Sequence, residues 1–378
     1  MLSLPLLLAA LVGGSPAPFE LKDGDRVVFL GNGFVERDPF HGYFETRLTR
    51  RFPDANIVFR NLGWSGDNVR GNARVAGFKN PDGFARLLKE VGELKPSVLF
   101  IGYGQNESFA GADGIAGFVA DYQSLLAKLK PLKARLILMS PTHHEDLGRP
   151  FPDPSTHNRD LRLYADAIRD LARENDAIYI DLFEPLRRAS TVLQLTTNGI
   201  LLNDLGYAHA ASVMEEKLGF SPFSPEVELD AAGRVVAAQG VKPIQTKAEG
   251  GGLDLRLESS MLGVLPESLT LTVSGLPAGR YALSRDEKPA GFVTIKDGKT
   301  RLPIALADGE KLRDLIVKKN ELVYRRWRPF NDHSRHWTYI GGDFKLYDDQ
   351  IAALEKSIAE ARKPSSIRVK ITPAGDSK

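Results

Sequence analysis

Three kinds of side chain in this sequence are placed to do chemistry: a serine in a glycine turn, a pair of histidines, and an asparagine beside an acid. Ser65 lies in Gly63-Trp64-Ser65-Gly66, a strand-to-helix turn that looks like a nucleophile elbow, although the last glycine of G-x-S-x-G falls on Asp67. Ser140-Pro-Thr-His-His-Glu145 closes a later apolar run beside the same turn, so His144 is expected within reach of Ser65. A hydroxyl next to an imidazole is the arrangement that activates a serine for attack on an ester. Each residue also has a plainer use: Ser65 as a helix cap or ST-turn, and His143 and His144 as a loop pair satisfied by backbone or water. Asn106, in Gly104-Gln105-Asn106-Glu107, offers an amide donor for a carbonyl oxygen, or a bond to its own loop.

Other candidates carry less. His157 follows Pro152-Asp-Pro154 at a helix start, and His209 sits in Tyr207-Ala-His-Ala-Ala211, so both read as structural. His333 and His336 flank Asp332 near Trp337, a loose metal or sugar pattern that reads as a solvated loop. The basic Arg325-Arg-Trp-Arg328 is too short for nucleic acid and is expected to stack across a domain junction.

The elements that must position these residues are legible as alternation. Val27–Leu30, Ile57–Phe59, Val98–Ile101, Leu136–Met139 and Ile178–Ile180 are apolar on both faces and predict five buried parallel strands. Between them Phe84–Leu94, Phe118–Leu129 and Leu161–Glu174 carry apolar residues at helical spacing. The pattern predicts a three-layer α/β/α sandwich with a five-stranded parallel sheet, its ligands beyond the carboxyl ends of the strands. After Pro222 the runs shorten, turn signals multiply, and a small all-β module is expected, followed by an amphipathic helix from about Tyr347 to Arg362. The division expected is a signal segment (1–18), an α/β domain (19–222), a β module (223–323), a C-terminal segment and helix packing on the first domain (324–363) and a disordered tail (364–378).

Composition narrows the partners. With 50 basic and 48 acidic residues the net charge is +2, so no global field draws the chain to nucleic acid. The absence of cysteine excludes disulfides, a thiol nucleophile and cysteine-ligated zinc. Leu2 to Val12 is an apolar run followed by Gly13-Gly-Ser-Pro-Ala-Pro18, which reads as a signal peptide without the usual preceding Lys or Arg. A secreted or periplasmic location is expected, with no integral membrane segment in the mature chain.

Four ordered segments together resemble the blocks of the SGNH (GDSL-type) hydrolase superfamily: Arg26–Gly33, Asn61–Gly66, Tyr103–Glu107 and Thr197–Leu201. The resemblance implies a carboxylic ester hydrolase, commonly acting on acetylated polysaccharides and needing no metal or organic cofactor. It also implies that Asn32 and Gly33 stand where the family places an aspartate and the nucleophilic serine, and that Gly63 and Asn106 stand at the oxyanion hole with Glu107 beside them. Thr197 or Asn198 stands at the acid and Leu201 at the base. Glycine has no nucleophilic atom and leucine accepts no proton, and a triad works as a unit. Two readings follow. The chain is a pseudoenzyme that binds a small molecule, sugar or acylated glycan in a retained pocket, or it is an esterase whose nucleophile has moved to Ser65 with His144.

Overall fold

The computed structural model describes residues 18–75, 82–264, 267–296, 299–306, 309–328, 344–364 and 366–374. Residues 1–17 of the expected signal segment, and Asp332, His333, His336 and Trp337, lie outside the described residues.

The α/β domain runs β1 (Arg26–Gly31), α1 (Gly33–His41), α2 (Tyr43–Arg51), β2 (Val58–Gly63), α3 (Gly83–Leu94), β3 (Val98–Gly102), α4 (Ile115–Leu129), β4 (Arg135–Met139), α5 (Ser155–Glu174), β5 (Ile178–Ile180), α6 (Phe183–Ala189) and α7 (Asp204–Lys217). The strands form one parallel sheet in the order β2-β1-β3-β4-β5. Because side chains alternate along a strand, Val27 and Phe29 face one helical layer while Val28 and Leu30 face the other. The first layer brings Val35, Phe44, Leu186 and Tyr207 to the sheet, and the second brings Leu87, Tyr122 and Ile168. Each fully buried aliphatic or aromatic side chain contributes roughly 1.5–3 kcal/mol. The two-sided apolar strands are thus the main source of the sandwich, and its class is as the sequence predicts.

The second unit contains β6 (Glu226–Leu229), β7 (Val235–Gln239), β8 (Val241–Glu249), β9 (Gly252–Ser259), β10 (Ser268–Ser274), β11 (Gly279–Arg285), β12 (Lys288–Ile295) and β13 (Lys299–Ala305). Helices α8 (Glu310–Trp327) and α9 (Phe344–Ala361) follow, then a last strand, β14 (Ser366–Pro373). Two sheets, β13-β10-β6-β7 and β12-β11-β14-β9-β8, enclose one core.

This corrects two expectations. The chain after 363 is not a disordered tail throughout, since β14 pairs on both sides with β9 and β11. Ile367, Val369 and Ile371 point into the core while Arg368 reaches Asp254 at 2.7 Å, so the strand is held on both faces. The C-terminal helical segment also begins earlier than 324: α8 opens at Glu310. Its buried Lys319 lies 2.6 Å from Glu45 of α2, which docks the helix on the α/β domain.

At the junction of the two units Arg47, Arg50 and Arg51 of α2 converge on Glu215 of α7 and Glu267 just before β10. Glu215 lies 2.6 Å from Arg47, 2.9 Å from Arg50 and 2.8 Å from Arg51. Glu267 is 3.1 Å from Arg47 and is also bonded by Arg50.

Candidate functional site

A cavity of about 150 Å³ opens beyond the carboxyl ends of β1 and β3. Its polar wall is Asn32, Gly33, Ser65, Gly66, Gln105, Asn106 and Thr142, and its apolar wall is Phe34, Ile200, Leu201, Leu202 and Tyr207. No acid, base or histidine is among these lining residues. The local chain explains most of the placement. Asn32 is the N-cap of α1, with its side-chain oxygen accepting from Phe34 N at 3.1 Å. Gly33 is therefore the first residue of a helix, where the backbone N–H has no partner within the helix.

Gly33 faces Ser65. A Cβ on Gly33 would stand 3.3 Å from Ser65 Oγ, so the serine hydroxyl borders the space a side chain at 33 would enter. Ser65 is held from the other side by Glu36, one turn into α1: the carboxylate accepts from Ser65 N at 2.9 Å and from Ser65 Oγ. The second oxygen of Glu36 accepts from Arg328, whose guanidinium lies 3.6 Å from the centre of the Trp64 ring. Trp64 is further flanked by Arg86 at 4.8 Å and Arg74 at 5.3 Å, and Trp327 meets it edge-on. The sequence predicts stacking of this segment across a domain junction; Arg328 and Trp327 pack on the turn carrying Ser65, and Arg328 adds an ion pair that the sequence does not predict.

His144 does not pair with Ser65. Its Nδ1 lies 3.1 Å from Nδ1 of His157, whose Nε2 is 2.8 Å from Ser108 Oγ. Its backbone is clasped by Asn158, with bonds of 2.8 Å and 2.7 Å. His143 likewise bonds Ser190 at 2.9 Å. Burial holds His143 and His157 neutral, each pushed down to about 4. The plainer use of the histidine pair is the one observed, and His157 belongs to the same network.

Three further expected residues serve the scaffold. The amide N–H of Gly63 is spent on Asn61 at 2.8 Å, and a Cβ there would lie 2.1 Å from the backbone of Glu36, so Gly63 permits close packing of β2 on α1. Gly66, not Gly63, lines the cavity. Its φ of 76° is a conformation that favours glycine, and its N–H has no partner among the described residues. Glu107 turns away to bind Val69 N at 3.0 Å and Gly104 N at 2.9 Å, and burial raises its pKa. Asn198 is exposed and folds its oxygen onto the N–H groups of Ile200 and Leu201, at 3.1 Å and 2.8 Å. That Asx-type turn presents Leu201 to the cavity. Glu145 fixes the same loop from beneath, accepting from Leu195 N at 3.0 Å and Thr196 N at 2.7 Å.

Asn106 holds its expected place, with one side-chain N–H bonded to Asp67 O at 2.6 Å and its other hydrogen uncommitted. Sequence reasoning missed Gln105 and Glu36. Gln105 adjoins Asn106 in the motif, and Glu36 is one helical turn from Gly33, so the signals were adjacency and helical period. Among the described residues no three His, Asp or Glu side chains converge to hold a metal ion, and no helix is long and apolar enough to cross a membrane.

Residues 24–209, most of the α/β domain, match the model of the GDSL-like lipase/acylhydrolase family. The whole chain shares its fold with BT4096, a gut microbial diltiazem-metabolizing enzyme, at 16% identity and a TM-score of 0.71 over 94% of this chain and 99% of that one. Axe2, an acetylxylan esterase from Geobacillus stearothermophilus, is similar at 20% identity and a TM-score of 0.43, covering 53% of this chain and 96% of its own. No curated protein sequence matches the chain.

Proposed function

We propose that this protein uses a GDSL-type cavity to bind a small acyl-bearing ligand, such as an acetylated sugar or glycan, without hydrolysing it. One observation carries the reading. The position at which the family resemblance places a nucleophile is Gly33, and the hydroxyl nearest to it, Ser65, is bonded to a carboxylate already paired with Arg328. Covalent acyl transfer needs a nucleophile and a group that takes its proton. Leu201 lines the wall where a base would stand, and both histidines of the nearby loop are bonded elsewhere. What remains are amide donors able to hold a carbonyl oxygen, on a scaffold whose loops are fixed by buried carboxylates.

A second reading rests on the Ser65–Glu36 bond, in which Glu36 takes the proton of a Ser65 nucleophile. Both oxygens of Glu36 are engaged, one by Ser65 and one by Arg328, which favours the binding reading. The apolar run Leu2–Val12 supports export, consistent with an extracytoplasmic glycan ligand.

Isothermal titration with an acetylated xylo-oligosaccharide tests the proposal. Binding without release of acetate is expected, weakened at least about tenfold in Asn106→Ala, a loss of roughly 1.4 kcal/mol. Deacetylation above the buffer rate, or affinity unmoved by Asn106→Ala, would contradict it.

A further inference from the structure

Gln105 carries an unexplained cost. Its side chain is 93% buried, since 7% is exposed, and it lines the cavity. Its oxygen accepts from Thr142 Oγ1 at 3.3 Å, but its Nε2 has no hydrogen-bond partner. A buried donor left unpaired is costly, and native proteins seldom keep one without a use. Three further donors belong to the same lining: the Gly33 N–H at the start of α1, the Gly66 N–H, and the uncommitted hydrogen on Asn106 Nδ2.

The number of donors selects the ligand. An ester or amide carbonyl has one oxygen with two lone pairs, whereas a carboxylate has two oxygens and about four acceptor sites. Charge points the same way. Among the described residues no carboxylate lines the cavity, the nearby Glu36 is paired with Arg328, and the positive end of α1 faces this region. Opposite the donors, Ile200 and Leu201 form an apolar wall suited to a methyl or ethyl group. About 150 Å³ accommodates a ligand of this size.

We infer that the ligand of this cavity is the free anion of a short-chain carboxylic acid, acetate or propionate in size, held by Gln105 Nε2 together with the Asn106 and backbone donors. This rests on the reading of the cavity as a non-hydrolytic binding site, and it narrows the ligand from an acyl ester to a carboxylate. No bond forms or breaks in the event, so the missing nucleophile and base are not needed.

The test is titration of the full chain with sodium acetate, sodium propionate and sodium hexanoate at fixed ionic strength, with acetamide and methyl acetate as neutral analogues. The acetylated oligosaccharide is run in parallel. Acetate and propionate are expected to bind at least tenfold more tightly than acetamide, and hexanoate is expected to bind more weakly than either. Gln105→Glu, which replaces the donor by an anionic acceptor of the same size, is expected to lose at least tenfold in acetate affinity. Gln105→Leu removes the donor without adding charge and is expected to weaken binding as well, so a folding defect in one variant leaves the other informative. Acetamide or methyl acetate binding as well as acetate, or a Gln105→Leu protein that binds acetate unchanged, would overturn the carboxylate assignment. If the oligosaccharide alone binds, the carboxylate assignment fails and the broader binding reading stands. If no ligand binds, both fail.

Discussion

Ser65 stands opposite Gly33 so closely that a Cβ on Gly33 would meet Ser65 Oγ at 3.3 Å, a tight contact that a small shift of the hydroxyl relieves. The hydroxyl therefore borders the position at which the family resemblance places a nucleophile, and it is turned toward Glu36. Most consequences of the structure for activity follow from that orientation.

Restoring the nucleophile alone should not restore chemistry. Gly33→Ser is expected to fold, because the position opens a helix and has no left-handed backbone, with Ser65 shifting by a few tenths of an ångström. Turnover of p-nitrophenyl acetate is expected to stay at the buffer rate, since Leu201 still offers no base. Hydrolysis by the single variant would show that another group in the cavity takes the proton.

Arg328 should act as the latch between the C-terminal segment and the site. Arg328→Ala removes its ion pair with Glu36 and its stacking on Trp64, and a loss of roughly 1–2 kcal/mol is expected. Amide exchange in Trp64–Asp67 should accelerate in the same variant. Unchanged exchange there would mean that Arg86 and Arg74 hold the turn without it.

Glu215 should be among the most sensitive positions outside the cavity. Glu215→Ala leaves the buried guanidinium groups of Arg47 and Arg50 short of a counter-charge, and breaking a buried pair by removing one partner costs about 3–5 kcal/mol. Urea denaturation gives the number. A loss below about 1 kcal/mol would mean that Glu267 alone neutralises the cluster.

Stability should depend on pH with two opposed slopes. Burial lifts Asp38 to about 8, with the charge of Glu45 adding to the effect. The unfolded chain releases this proton near about 3.9. Between these values the native state holds a proton that the unfolded state lacks, so this contribution falls as pH rises. His143 and His157 titrate near about 4 in the fold and near about 6.5 when unfolded, so their contribution falls as pH drops through that window. Tm measured from pH 4 to 8.5 should lose the first slope in Asp38→Asn and lessen the second in His157→Gln. Slopes unchanged by both variants would contradict the assignment.

The parallel sheet was legible because its strands are apolar on both faces, a pattern that half-exposed strands do not show. Strand β14 was equally regular, with Ile367, Val369 and Ile371 alternating with Arg368 and Lys370, but it follows a helix and pairs with β9 (Gly252–Ser259), far earlier in the chain. Sequence proximity gives no hint of that pairing. Within the site, Asn32, Gly33, Ser65 and Asn106 fall on the cavity because each is next to the carboxyl end of a strand. His144, Glu107 and Asn198 belong to the same loops, yet their side chains bond to backbone or to another histidine, a choice set by loop conformation rather than residue type. The sequence points to Gly63 although Gly66 lines the cavity, because both glycines flank the same turn and only backbone geometry shows which N–H is free.

The most direct measurement is fluorophosphonate labelling of the full chain with p-nitrophenyl acetate turnover, for wild type and Ser65→Ala. The geometry of Gly33, Ser65, Glu36 and Leu201 predicts no label and no turnover above buffer in either protein. Labelling and turnover in wild type that vanish in Ser65→Ala would contradict it, and would establish Ser65 as a working nucleophile.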